Sequence, residues 1–172
     1  MNFEYKSLLN GDFHPDSRVW VYQSSRLFNS SEALLIEEVL GRFIRDWHSH
    51  GVAVKGQAHL FFGQFIVFMA DETATGVSGC STDSSVRVIK DIESRFGVSM
   101  FERTNLAFIV GDKVQLLPLS QLKYAVDSGF VSGETLFFNN VVVTKEELEN
   151  NWIIPAKESW LAKKISFTNS VL

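Results

Sequence analysis

Gln64-Phe65-Ile66-Val67-Phe68-Met69-Ala70 is the most apolar stretch of the chain, hydrophobic on both of its alternating faces. A run of that kind predicts a strand covered on both sides. Gly63 separates it from Ala53–Phe61, so the two read as neighbouring strands or a hairpin. After the loop Thr73-Ala74-Thr75-Gly76-Val77-Ser78-Gly79 the pattern changes period. Val86, Ile89, Ile92 and Phe96 recur at three- and four-residue steps, with Arg87, Lys90, Asp91 and Arg95 opposite them. That spacing predicts an amphipathic helix, started by Ser81, Thr82 or Asp83 and ended by Gly97.

The same reading extends to the rest of the chain. Met1–Ser17 reads as a lead-in with turn signals, and Arg18–Gln23 as the first strand. Ser30 and Ser31 are expected to cap a first helix that buries Ile36, Leu40, Phe43, Ile44 and Trp47, is widened by Leu35 and Val39, and stops at Gly51. His48 and His50 would cap its last carbonyls. Leu106–Val110 and Val114–Leu117 read as strands around a Gly111-Asp112-Lys113 turn. Ser120 opens a short helix, Gln121 to Ser128. Thr135–Phe138 and Val141–Val143 flank Asn139-Asn140 as a second hairpin, and Thr144-Lys145-Glu146-Glu147 is a capping box. Trp152–Pro155 exits extended, Ser159–Ile165 docks through Trp160 and Leu161, and Ser166–Leu172 is expected to fray. Paired strands with helices between the pairs predict a single α+β domain over residues 1–172, with a mostly antiparallel sheet, two main helices and short C-terminal ones.

Composition narrows the function classes. The 172 residues carry a net charge of −4 and contain no long basic run, which argues against a nucleic-acid surface. No apolar run approaches the roughly 20 residues of a membrane helix, and Met1–Lys6 lacks a basic-then-apolar leader. One cysteine permits no internal disulfide. A cytoplasmic location is the expectation, with no membrane partner. Fifteen phenylalanines and four tryptophans raise the expectation of a homodimer.

The chemistry is concentrated between Asp71 and Ser85. Cys80 would sit at a helix N-terminus, where unpaired N–H groups favour a thiolate. His59 is its candidate base across the sheet, with His48 and His50 as alternatives and Asp71 or Asp83 as the orienting carboxylate. Asp71, Glu72, Gly79, Ser81, Thr82, Asp83 and Arg87 are candidate binding residues around an anion cradle. The reading of Cys80 as a small buried hydrophobe is the favoured one. Asp71, Glu72, His59 and Cys80 have ligand types but no diagnostic metal spacing, and neither metal nor cofactor is expected. Six residues lie between Cys80 and Arg87 rather than the five of a cysteine phosphatase loop, and G-x-x-x-x-G-K-[ST] is absent.

Three phrases, Arg18–Ser24, Trp47–Gly51 and Ser78–Ser85, resemble an uncharacterised bacterial family of about this length whose members are often labelled ABC-transporter ATPases. The chain has no phosphate-binding loop and no LSGGQ-like signature, so its motifs do not support that label. The resemblance implies no activity and transfers no functional residue. The reading is therefore a binding or assembly module with a protein or small-molecule partner. The alternative is a thiol-dependent enzyme or redox-sensing protein using Cys80.

Overall fold

The computed structural model describes residues 2–73 and 79–167, with residues 79–82 described by backbone alone. Nine strands and four α-helices are described. The strands are β1 (Arg18–Gln23), β2 (His48–Ser49), β3 (Val52–Ala53), β4 (Lys55–Phe61), β5 (Phe65–Asp71), β6 (Asn105–Val110), β7 (Lys113–Pro118), β8 (Leu136–Phe138) and β9 (Ile153–Pro155). The helices are α1 (Ser30–Asp46), α2 (Gly79–Phe96), α3 (Leu122–Asp127) and α4 (Lys145–Asn151). The fold is α+β, and every strand pair is antiparallel.

Strand β5 is buried at all seven positions, as its two-faced hydrophobic pattern requires. It lies at the centre of a first sheet ordered β1-β5-β4. Its even-numbered residues Ile66 and Phe68 pack with Ile36 and Leu40 of α1 and Ile89 and Ile92 of α2. Its odd-numbered residues Phe65, Val67 and Met69 pack with Ala107, Val114 and Phe138 of a second sheet, ordered β7-β6-β8-β9. The far side of that second sheet, Leu106, Phe108, Leu117 and Phe137, is covered by Leu122 and Ala125 of α3 and by Leu161. The molecule is thus four layers: helix pair, sheet, sheet, and short helices. Between the sheets the rings of Phe65 and Phe138 stack with centroids 4.4 Å apart, and Trp152 fills the space beside them with no exposed surface.

Several expectations are corrected. Asn29, not Ser30 or Ser31, caps α1, in a reciprocal box with Glu32. Helix α1 ends at Asp46, because His48–Ser49 folds back on Val52–Ala53 through a turn at His50 and Gly51, both with positive φ. His48 nonetheless sets Nδ1 2.9 Å from the Asp46 carbonyl oxygen. Val141–Val143 is not the partner of β8, which pairs with β6 and β9 instead. The lead-in is core: Tyr5, Leu9 and Phe13 are all buried. The Tyr5 hydroxyl donates to the Leu148 carbonyl at 2.6 Å, and burial, helped by Glu149 and Glu4, pushes its pKa up to about 12. Residues 168–172 of the expected frayed end lie outside the described residues. Among the described residues no helix is long and apolar enough to cross a membrane.

Gly56 on β4 faces Trp47, and a Cβ there would lie 2.6 Å from the indole ring. Trp47 is itself fixed between Trp20, Phe43 and Phe68. Gly56→Ala should therefore cost about 1–3 kcal/mol through overpacking. Gly41→Ala, in the middle of α1 with only the Arg45 guanidinium nearby at 3.7 Å, should stabilise by about 0.5–1 kcal/mol. Urea unfolding of the two variants tests the packing, and effects of the same sign would contradict it.

Candidate functional site

Asp71 closes β5 and is almost fully buried, with 3 % of its surface exposed. Its oxygens accept from four donors. The Thr73 hydroxyl (2.6 Å) and Thr73 N–H (3.1 Å) reach Oδ1, and the Lys55 ammonium (2.9 Å) and His14 N–H (3.3 Å) reach Oδ2. Hydrogen bonds from Thr73, then from Lys55, hold the carboxyl well below the usual carboxylate range despite its burial. Lys55 also donates to the Asp12 carbonyl at 2.7 Å. Asp71 is thus occupied in tying the start of the chain to β4 and β5. Glu72 lies 3.7 Å from Arg18.

His59 sits half-exposed on β4, with Nδ1 3.6 Å from Glu37 of α1. The other Glu37 oxygen accepts the outward Leu60 N–H at 2.7 Å and so caps the open edge of β4. Burial pushes the Glu37 pKa up, but the hydrogen bonds from His59 and Leu60 outweigh it and the net shift is downward. The Gly79, Cys80, Ser81 and Thr82 side chains, and the loop 74–78, lie outside the described residues. Asp83 and Arg87 are exposed on α2. Among the described residues no group of three metal-ligating side chains exists.

A concave site lies elsewhere. A cleft of about 330 Å³ opens between β1, the 100–103 segment, β6 and the chain from Phe137 to Val143. Its walls are mostly apolar, including Trp20, Val21, Met100 and Trp160. Phe101, Val141 and Val143 at 39 %, 62 % and 56 % exposure are among its lining residues. Of its polar side chains, Gln23 and Asn140 are held in place by the protein. Gln23, which is buried, donates from Nε2 to the Asn105 carbonyl at 2.9 Å and accepts from Asn140 Nδ2 at 2.8 Å. Asn140 Oδ1 in turn accepts from the Trp152 indole at 2.9 Å. The Tyr22 phenol bonds Ser85 of α2; burial raises its pKa, partly opposed by Ser85 and by the charge of Arg103.

Sequence reasoning missed this site because its lining comes from four segments far apart in the chain and consists largely of residues that read as core. The strand Arg18–Gln23 was legible, but nothing in the chain announced that one of its edges would stay open. No family model, no curated protein and no solved structure matches the chain.

Asn140→Ala would leave both the Gln23 acceptor and the Trp152 indole without their partner, and should destabilise by about 1–3 kcal/mol. A loss below about 0.5 kcal/mol in urea unfolding would show the network to be dispensable. For Asp71 the sign follows from linkage. Its folded pKa is depressed, so its stabilisation is present above the unfolded value near 3.9 and is lost as pH falls towards the folded one. Unfolding midpoints measured between about pH 6 and pH 3 should fall less steeply for Asp71→Asn than for the parent protein. Parallel curves would exclude Asp71 as an acid-sensitive tie.

Proposed function

We propose that the protein is a non-enzymatic binding module whose ligand seat is the cleft beside β1. The observation that supports this reading most is the combination of apolar walls with a small set of polar groups already fixed by the protein. Ligand sites are typically concave, mostly apolar and oriented by a few placed polar groups. The volume falls at the lower end of the roughly 300–1,000 Å³ range of such sites. Because the Gln23–Asn140–Trp152 network is satisfied within the protein, the seat is formed before anything binds, and a ligand loses little energy to reorganisation. The exposed valines and Phe101 extend the apolar surface beyond the cleft, so the ligand need not be confined within it.

The test uses the full chain with labelled methyl groups and a set of small neutral aromatic and aliphatic fragments. Fragment binding should shift the methyl resonances of Val21, Val141 and Val143, and Val141→Trp, at an exposed lining position, should abolish the shifts without unfolding the protein. Absence of any cleft shift at millimolar fragment, or shifts indifferent to Val141→Trp, would overturn the reading.

A further inference from the structure

The main chain of β1 alternates in direction. The even-numbered residues pair with β5, and Ser24 N–H continues that side by donating to the Gln64 carbonyl at 2.8 Å. The odd-numbered residues face outward, and Val19 N–H donates to the Val143 carbonyl at 2.9 Å. By the same alternation Val21 turns its N–H and C=O to the open edge. Past Val143 the facing chain diverges from β1, and the next link is between side chains, Asn140 to Gln23. Among the described residues neither main-chain group of Val21 has a hydrogen-bond partner. One N–H and one C=O side by side on a strand edge are what a residue of an added strand pairs with.

Arg103 is the one basic residue among those lining the cleft. Among the described residues it has no carboxylate partner within salt-bridge distance. Glu102 lines the same cleft as an ionised carboxylate, held below the usual carboxylate range by the Thr104 hydroxyl and N–H, which both donate to one of its oxygens at 2.6 and 2.8 Å, and it is not within salt-bridge distance of Arg103. Phe101, Val141 and Val143 are exposed apolar residues of the same lining.

Building on the reading of the cleft as a ligand seat, we infer that its occupant is an extended peptide segment that pairs with the edge of β1 through one residue, at Val21, its two ends leaving the cleft between the Val19–Val143 and Gln23–Asn140 ties. The segment carries branched apolar side chains against the valines and Phe101, and an acidic side chain facing Arg103. Main-chain pairing supplies the register, and the acidic residue supplies the preference among otherwise similar segments.

The probes are acetyl-Thr-Val-Glu-Val-Thr-amide, the same peptide with lysine in place of glutamate, and the glutamate peptide N-methylated at its central residue. Binding to the labelled 172-residue chain is followed by amide shifts and by hydrogen exchange at Val21. The glutamate peptide should slow exchange at Val21 and bind roughly tenfold more tightly than the lysine peptide. N-methylation should weaken binding by a similar factor, since it removes a main-chain donor without touching the protein. Arg103→Gln, at an exposed position, should erase the preference for glutamate while leaving exchange protection at Val21. If neither peptide perturbs Val21 at millimolar concentration while the neutral fragments still bind, the peptide inference fails and the ligand seat survives. If the fragments fail as well, the seat itself is refuted. A concentration-dependent dimer in which Val21 is already protected would make a second copy of the chain the occupant and would overturn the inference.

Discussion

Everything in this fold follows from burying β5 on both faces. A strand apolar on one face can sit at the boundary of a two-layer domain, but Phe65-Ile66-Val67-Phe68-Met69-Ala70 cannot. Each large side chain in it loses about 1.5–3 kcal/mol of stabilisation if left in water. One layer must therefore cover the even residues and another the odd ones. Helices α1 and α2 meet the first need and the second sheet meets the other, which itself then requires α3 and the Trp160–Lys163 turn on its outer side. With β5 at the centre of a three-stranded sheet, β4 and β1 become edges. The edge of β4 is blunted by the Glu37 carboxylate on Leu60 N–H and by Gln57, which bonds the Leu8 carbonyl and Asn10 N–H. That leaves the edge of β1 as the one that meets the cleft.

Apolar layers bind without direction, so their alignment is set by polar ties. Gln23 and Asn140 join the first sheet to the second through two side-chain amides and the Trp152 indole. Lys145, 7 % exposed, reaches the Phe13 carbonyl at 3.0 Å and lies 3.6 Å from Glu149, which makes the burial of its ammonium tolerable. Lys55 holds the Asp12 carbonyl and Asp71 together. The segment around Asp12, Phe13 and His14 is thereby locked onto strands and helices from distant parts of the chain, although its own sequence reads as little more than turns.

The elements whose pairing is local were legible from the chain itself. The β4–β5 and β6–β7 hairpins and α2 have strong periodicity and their partners lie next in sequence, although α2 begins at Gly79, ahead of the expected caps Ser81, Thr82 and Asp83. Two errors were local, the Asn29 cap and the β2–β3 hairpin that ends α1, and the others fall where a distant partner competed with a near one. Val141–Val143 has the composition of a strand beside Asn139-Asn140, but β8 instead takes β9, because Trp152 between α4 and β9 has to enter the core beside Phe65 and Phe138. Trp47 fits the buried stripe of α1, yet it caps the helix end so that its ring can cover Gly56. For the candidate site, Asp71 was visible as a carboxylate after an apolar strand, but its donors Lys55 and His14 were not. The Gln23–Asn140 pair spans 117 positions and carries no local signature.

The cleft persists for the same reason the layers align. At one end β1 is pinned to the facing chain by the bond from Val19 N–H to the Val143 carbonyl. At the other end Gln23 is held by Asn105 and Asn140 at the full length of two side chains rather than by main-chain contact. Closing the gap at Val21 would require these carboxamides to give up partners, and each buried group left unpaired costs about 1–3 kcal/mol. Asn140 in particular cannot move towards β1 without abandoning Trp152, which is wedged among aromatic rings in the core. The edge of β1 is therefore kept apart from its neighbour by interactions that already satisfy the protein, and its main-chain groups at Val21 remain turned towards the space they enclose.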